Sequence, residues 1–220
     1  MECTKCINVP ESGILPSGAR DIRGETVKNK TALVTGASSG IGAVFARELA
    51  RDGYAVTCVA RSKDKLQGLL KELGGGSRML LADLADRDQL QAVAADVEST
   101  GYSLLVNNAG YGIYGRFEEI PLDRHEHLMT VNMNALVRLS HAFLKKAAAG
   151  DALINVSSAL SLLTYPGGAV YAASKAFVTN FTESLWYENK DRGVYVMALL
   201  PAWERAVPAC GNDAGAALRS

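Results

Sequence analysis

The sequence predicts an α/β fold in which a doubly wound parallel β-sheet is flanked by helices, over residues 29–201. Two observations predict it. Short apolar runs of strand character alternate with segments in which leucine and valine recur at helical spacing. A glycine-rich turn, GASSGIG, also joins the first of these strands directly to the first helix.

Composition narrows the class of protein. The 220 residues are 48% hydrophobic and 21% charged, with 23 acidic and 23 basic side chains, which is typical of a soluble globular domain. This balance argues against nucleic-acid and membrane partners, and no apolar run is long enough to span a bilayer. Residues 1–20 lack the apolar core of a signal peptide, so we expect a cytoplasmic protein.

The two ends of the chain have little periodicity. Residues 1–28 contain several prolines and glycines and are interpreted as a flexible arm, and residues 202–220 form an atypical tail rich in alanine and glycine. Cys3 and Cys6 form a C-x-x-C pair that has no partners for a zinc site, so we favour an unstructured arm over a metal or redox function. Cys58 lies in an apolar strand pattern and is expected in the core.

The first strand, Thr31 to Thr35, is followed at once by the turn Gly36 to Gly42 and then by a helix marked by Phe45 and Leu49. Glycines let the backbone approach a pyrophosphate, and a helix N-terminus supplies free amides and a positive dipole end. The spacing is G-x-x-x-G-x-G rather than the common G-x-G-x-x-G. In this strand–turn–helix context we predict nucleotide binding.

The second strand, Tyr54 to Ala60, ends in Arg61-Ser62-Lys63 with no acidic residue. A site for NAD usually offers a carboxylate to the ribose at this point, whereas cations attract the 2′-phosphate of NADP. The basic pair Arg61 and Lys63 therefore favours NADP; the alternative is two solvated charges opening the next helix.

The remaining elements continue the alternation. Strands are predicted over Arg78–Ala82, Ser103–Val106, the run around Ile154 and Val156, and Val194–Leu200, with a long helix over about His125–Ala149. No cysteine or carboxylate cluster accompanies the three histidines, so no metal site is expected. Parallel strands bring their carboxyl ends to one edge, where ligands bind. The residues predicted at that edge are Gly36, Arg61, Asp83, Asn107 and Ser158.

One segment, Asn155 to Lys175, carries the residues suited to catalysis. Tyr171 and Lys175 are four residues apart and share a helix face, and Ser158 stands at the end of the preceding strand. A nearby ammonium lowers a phenol's pKa, so Tyr171 could exchange a proton with a substrate oxygen that Ser158 holds. The alternative is a solvated helix face.

Together these motifs resemble the classical short-chain dehydrogenase/reductases over about residues 30–201. The matching motifs are TGASSGIG (35–42), Asp83-Leu84, NNAG (107–110), Asn132 in TVNMNA, Ser158 and YAASK (171–175), with thirteen residues from Ser158 to Tyr171. The segment AVYAASKAFVTNFTESLWYE in particular resembles the bacterial ketoacyl-reductase-like and steroid-dehydrogenase-like members.

The resemblance implies a Rossmann-like fold and a role for each matching position. The dinucleotide phosphates would be lined by Gly36, Ser38, Ser39, Gly40, Ile41 and Gly42. Arg61 would meet the 2′-phosphate of NADP(H); adenine and its ribose would contact Asp83, Leu84, Asn107, Ala109 and Gly110. Tyr171 would be the acid/base, Lys175 would hold the nicotinamide ribose, and Asn132 would support a water chain to Lys175. Ser158 would polarise the carbonyl, with the adjacent Ser157 as the alternative.

The expected function is therefore an NADP-dependent oxidoreductase acting on the carbonyl or secondary alcohol of a small hydrophobic molecule. A hydrophobic substrate is expected because the residues near the expected pocket are mostly apolar; the alternative is that they only pack in the core. These residues are Gly112, Tyr114, Phe117, Leu160, Leu163 and Tyr165. The resemblance also implies a homodimer or homotetramer.

The sequence departs from the family after the sixth strand. The family has Pro-Gly and then Thr there, whereas this chain has Pro201-Ala202-Trp203-Glu204, and the tail shows neither the usual substrate lid nor the last strand. Without that strand the sixth would be an exposed edge, and without the lid the nicotinamide end would be open to water. The alternative function is thus a truncated, non-catalytic NADP-binding homologue.

Overall fold

The computed structural model describes residues 30–202. The predicted arm with Cys3 and Cys6, and the predicted tail from Trp203 onward with Cys210, lie outside the described residues.

The described chain forms one six-stranded sheet in which every neighbouring pair is parallel. Its spatial order is β3-β2-β1-β4-β5-β6, so the chain crosses from one edge to the centre between β3 and β4. Such sheets bind ligands in the crevice outside the carboxyl ends of β1 and β4, where the direction of the strand order reverses. The strands are β1 Thr31–Thr35, β2 Ala55–Ala60, β3 Arg78–Leu81, β4 Leu104–Asn107, β5 Ala152–Val156 and β6 Tyr195–Leu199.

Helices connect successive strands and cover both faces of the sheet. They are α1 Gly40–Arg51, α2 Lys63–Leu73, α3 Arg87–Thr100, α4 Leu122–Met129, α5 Leu136–Leu144 and α6 Ala169–Asn189. Short 3₁₀ turns occupy Phe117–Glu119, Ala159–Leu162 and Lys190–Arg192. No helix among residues 30–202 has both the length and the apolar character needed to cross a bilayer.

The prediction of a single helix over 125–149 is wrong at both ends and in the middle. The observed helical segment begins at Leu122, directly after Pro121, whose fixed φ suits a helix start. It ends at Leu144, where Arg192 donates hydrogen bonds to the carbonyls of Leu144 and Ala147. Residues Thr130–Ala135 between α4 and α5 form a π-helix, a wider turn that is frequent at functional sites.

Two apolar clusters pack against the sheet. One joins Leu33 and Leu105 to α3 and α5, and the other joins Val34 and Leu104 to α1 and α2. Because neighbouring strand residues point to opposite faces and both faces are packed, the central strands β1 and β4 are apolar except at Thr31, Thr35 and Asn107. Cys58 is fully buried in the second cluster, as predicted, and burial raises the pKa of its thiol to about 11.

Candidate active site

A cavity of about 1450 Å³ opens at the carboxyl edge of the sheet. Its walls come from the turns that follow β1, β2, β3, β4, β5 and β6, so residues far apart in sequence meet there. The predicted convergence of the strand ends is therefore present in the structure.

The turn after β1 forms the floor of one end of the cavity. Gly36 has φ +65°, and a Cβ on Gly42 would lie 2.4 Å from the carbonyl oxygen of Gly36, so both positions exclude side chains. Gly42 packs against Gly36 and does not itself line the cavity, whereas the other predicted phosphate-binding residues do: Gly36, Ser38, Ser39, Gly40 and Ile41.

The start of α1 is suited to an anion. Ser39 precedes the helix without making a side-chain capping bond, and the first turn contains no acidic residue. Its leading amides and positive dipole end therefore remain available. The glycine turn leaves a backbone cradle at the N-terminus of the 12-residue helix α1, and a Cβ on Gly36 or Gly42 would crowd it. Such a cradle fits the diphosphate of a dinucleotide.

Thr35 and Asn108 lock this turn to the end of β4. The buried Thr35 hydroxyl accepts hydrogen bonds from the amides of Asn108 and Ala109, both 2.9 Å long. The Asn108 side chain donates to the carbonyl of Thr35 at 2.9 Å and approaches that of Gly36. Both residues lie in the quoted motifs TGASSGIG and NNAG, but sequence reasoning assigned neither of them a role; the polar threonine ending an apolar strand was the available signal.

The turn after β2 brings positive charge to the cavity. Arg61, Ser62 and Lys65 line it, but Lys63 does not. Residues two apart point to opposite sides of a helix, so Lys65 faces the cavity at the start of α2 and Lys63 faces away. The guanidinium of Arg61 lies 3.6 Å from the Asp83 carboxylate, a weak and exposed ion pair.

The turns after β3 and β4 close this end of the cavity. Leu84, Ala109 and Gly110 line it. The Asp83 carboxylate accepts a hydrogen bond from the amide of Ala85. The side chain of Asn107 is buried in the sheet and donates to Asn155 and Ser140 at 2.9 and 3.0 Å, so it points away from the cavity.

Tyr111 and His127, which sequence reasoning did not assign, form a further part of the wall. The Tyr111 hydroxyl lies 2.6 Å from Nδ1 of His127, and both side chains line the cavity. Their pairing depends on the loop after β4 meeting α4, which no local motif signals.

The structure distinguishes the two adjacent serines. Ser157 is buried; its hydroxyl donates to the carbonyl of Lys175 and contacts the Thr179 hydroxyl, both at 2.8 Å. Ser158 caps the next 3₁₀ turn by accepting from the amide of Leu160 at 3.2 Å, and among residues 30–202 its hydroxyl donates to no acceptor, which leaves its proton for a ligand. This geometry favours Ser158 over Ser157 for contacting a substrate.

Tyr171 and Lys175 share the cavity-facing side of α6, one turn apart. The Lys175 ammonium nitrogen lies 5.9 Å from the centre of the Tyr171 ring and donates to the carbonyl of Val156 at 2.9 Å. Lys175 is only 5% exposed, and burial lowers its pKa from 10.5 to about 8. Near neutral pH the ammonium is therefore charged, and this charge lies one helical turn from Tyr171 on the cavity side of α6.

Asn132 lies in the π-helical turn and holds two elements of the site together. Its side chain donates to the Tyr111 carbonyl and the Ser174 hydroxyl and accepts from the Tyr111 amide, at 3.1 to 3.2 Å. Asn132 is buried and does not line the cavity, so its visible role is to position the loop after β4 against α6.

Three of the six predicted substrate-pocket residues line the cavity: Tyr114, Leu160 and Leu163. Gly112 and Tyr165 lie directly against Tyr114. Phe117 instead stacks on His125, with ring centres 5.0 Å apart, in a separate small cavity.

The site thus has a glycine cradle and cations at one end, and a hydroxyl, a phenol and an ammonium beside apolar side chains at the other. Such a cleft can hold a dinucleotide and move a proton at a neighbouring oxygen.

Comparison with known proteins agrees with this geometry. The family model described as short chain dehydrogenase matches residues 30–206. A very-long-chain 3-oxoacyl-CoA reductase from Anas platyrhynchos is 32% identical over 181 residues, covering 77% of this chain and 58% of that protein. The chain thus spans less than two thirds of that relative's length.

Two solved structures are similar in fold and sequence. A bulky-bulky ketone specific alcohol dehydrogenase from Comamonas testosteroni has a TM-score of 0.76 and 32% identity, covering 84% of this chain and 77% of that one. A short-chain dehydrogenase from Sphingobium yanoikuyae, solved in complex with NADPH, has a TM-score of 0.74 and 36% identity, covering 80% of this chain and 71% of that one.

Proposed function

The chain belongs to the short-chain dehydrogenase family, and we propose that it is an NADP-dependent oxidoreductase for the carbonyl or secondary alcohol of a small hydrophobic molecule. The family is one of oxidoreductases with a Rossmann-like nucleotide-binding fold. The coenzyme preference, the substrate class and the roles of individual residues are the proposal.

One observation carries it. Ser158, Tyr171 and Lys175 line the same cavity as the glycine turn and Arg61, although they come from opposite halves of the chain. A solvated helix face, the alternative for Tyr171 and Lys175, does not account for a lysine that is 5% exposed.

Bound NADP(H) would supply hydride to the carbonyl carbon, or accept it from the alcohol. In reduction, Tyr171 donates its phenolic proton to the substrate oxygen as that oxygen gains charge. Ser158 donates a hydrogen bond to the same oxygen and fixes its position. The Lys175 ammonium stabilises the phenolate that remains, and in the oxidation direction the phenolate takes the proton back.

The surroundings support NADP and an apolar substrate. Arg61 and Lys65 offer two cations to a 2′-phosphate at the end of β2, where an acidic residue would repel it. The similar protein from Sphingobium yanoikuyae was solved with NADPH, and the one from Comamonas testosteroni is described as specific for bulky ketones. Tyr114, Leu160 and Leu163 provide apolar contact surface at the reaction end.

The test is NADPH oxidation, followed by absorbance, against a panel of hydrophobic ketones, with NADH in parallel. We expect turnover with NADPH that falls at least ~100-fold in Tyr171→Phe, since a positioned general acid contributes on this order. Tyr187→Phe, an exposed tyrosine farther along α6, is the matched control and should retain full activity. Faster turnover with NADH would contradict the coenzyme assignment.

The second candidate is a nucleotide-binding protein that does not turn over. The observation favouring it is Ala202, which stands where the family has the glycine after Pro201. NADPH binding, followed by fluorescence, without Tyr171-dependent turnover would support this candidate and reject the first.

A further inference from the structure

Tyr114 packs directly on the tyrosine proposed as the acid/base. Its ring lies edge-on to Tyr171, with centres 6.0 Å apart and planes at 69°, and edge-on to Tyr165 at 6.1 Å and 79°. Tyr114 and Tyr171 both line the main cavity. Tyr114 and Tyr171 thus form an aromatic wall at the reaction end of the site, and Tyr165 packs against Tyr114.

Two glycines make room for this wall. A Cβ on Gly112 would lie 2.7 Å from the Tyr114 hydroxyl oxygen and 2.9 Å from its Cζ. A Cβ on Gly168 would lie 2.6 Å from Cδ1 of Tyr165 and 3.3 Å from Cδ1 of Tyr114. The amide of Gly115 also donates to the carbonyl of Gly167 at 2.8 Å, which ties the two loops together. The backbone therefore fixes where the Tyr114 ring sits, even though 51% of the residue is exposed.

The ring, rather than the hydroxyl, is what Tyr114 offers to a ligand. Its hydroxyl rests over Gly112 and makes no hydrogen bond to any residue in the described range 30–202. Burial of the ring, together with Tyr171 and Tyr165, raises the pKa of Tyr114, so the phenol stays neutral. A neutral aromatic surface beside the reacting oxygen favours contact with another π-system.

We propose that Tyr114 is a specificity-determining residue that selects carbonyl substrates with a flat, aromatic substituent on the carbonyl carbon. This rests on the proposed function, because it requires the substrate oxygen to sit at Tyr171 and Ser158. A carbonyl carbon is one bond from that oxygen, so its substituents fall within reach of the ring packed on Tyr171. Aromatic groups pack well against such a ring, whereas a saturated ring of equal size is thicker and lacks the favourable edge-to-face contact.

The test compares acetophenone with cyclohexyl methyl ketone, which share a carbon skeleton and differ in the flatness of the ring. The quantity measured is the ratio of their kcat/KM values with NADPH. Intrinsic reactivity differs between the two ketones but is the same for every variant, so it cancels when ratios are compared. We expect Tyr114→Ala to lower the ratio ~3- to 10-fold, the scale of one aromatic contact, and Tyr114→Phe to keep it within ~2-fold.

Gly112→Ala provides an independent variant that keeps the tyrosine. Its added methyl group displaces the Tyr114 ring from its position beside Tyr171, so the ratio of kcat/KM values should fall, as it should in Tyr114→Ala. Combined with Tyr114→Ala, which removes the clashing ring, it should have no further effect on the ratio. Tyr195→Ala, at an exposed position on β6 outside the cavity, is the matched control and should leave the ratio unchanged. Circular dichroism would verify that each variant is folded.

An unchanged ratio in folded Tyr114→Ala overturns the proposal, and so does an equal fall in Tyr114→Phe, which would assign the effect to the hydroxyl. These outcomes differ from failure of the proposed function, in which the wild type reduces neither ketone. In that case both ketones are titrated calorimetrically into the NADPH-saturated protein. Preferential acetophenone binding that Tyr114→Ala removes supports the proposal, and equal or absent binding overturns it.

Discussion

The two ends of the cavity differ in what holds their walls in place. At the nucleotide end, the floor is the backbone of the glycine turn, and part-buried hydrogen bonds made by Thr35 and Asn108 hold it. At the reaction end, much of the wall is side chain, and Tyr114 and Leu163 are 51% and 65% exposed. A backbone wall suits a ligand part that never changes, such as a diphosphate. A side-chain wall can change with the substrate at little cost to the fold.

The largest effect that would sharpen this comparison is expected from Gly42→Ala. The new Cβ would lie 2.4 Å from the Gly36 carbonyl oxygen, and a backbone atom cannot move aside without moving the turn. If the turn relaxes to relieve overpacking of about 3 kcal/mol, NADPH binding must restore the strained turn, which corresponds to a roughly hundredfold loss of NADPH affinity in a fluorescence titration. Gly68→Ala in α2 is the control, because a Cβ there meets nothing within 4 Å. It should stabilise the protein by about 0.5 to 1 kcal/mol, and equal NADPH binding by both variants would contradict the cradle.

Lys175 gives the next largest effect, as a dependence of stability on pH. The unfolded chain keeps this proton up to its ordinary pKa of 10.5, whereas the folded protein releases it near 8. Between these values the unfolded state binds more protons, so stability rises with pH. Relative to Lys175→Met, the wild type should gain about 3 kcal/mol of unfolding free energy over this window. Urea unfolding of both proteins at either end of the window measures it, and a constant difference would contradict the buried charge.

Thr35→Val compares the two ends directly. It leaves the amides of Asn108 and Ala109 without their acceptor, which we expect to cost about 2 to 4 kcal/mol of unfolding free energy. Leu163→Ala at the reaction end should cost less than about 0.5 kcal/mol because that side chain is exposed. Urea denaturation distinguishes them, and similar costs would mean that the two walls are held alike.

The smallest effect is expected at Arg61. Arg61→Ala should weaken NADPH binding by about tenfold, since a hydrogen bond to a charged group is worth this much, and leave NADH binding unchanged. Protein stability should not change measurably, because the ion pair with Asp83 is exposed and 3.6 Å long. Lys65→Ala should also weaken NADPH binding, while Lys63→Ala, whose side chain is off the cavity wall, should not. An equal loss for both coenzymes would argue against a 2′-phosphate contact.

The sequence alone predicts the parallel sheet, the succession of its strands along the chain and the edge where the site lies. Local patterns determine these features: β1 and β4 are largely apolar runs because both of their faces are buried, and the glycine turn follows β1 without a gap. The same patterns indicate Tyr171 and Lys175, because one turn of helix fixes their relative position.

Tertiary contacts decide the rest. The Ser157 hydroxyl is bound to α6, which leaves Ser158 as the serine that can contact a substrate. Lys65 rather than Lys63 lines the cavity because the rotation of α2 sets which side chain faces it. Asn132 interrupts a helix that looks continuous in sequence, and its partners Tyr111 and Ser174 are 21 and 42 residues away. Side-chain orientation depends on neighbours that are distant in sequence. A local pattern therefore determines which residues reach the site's edge, and only packing determines which of them face the ligand.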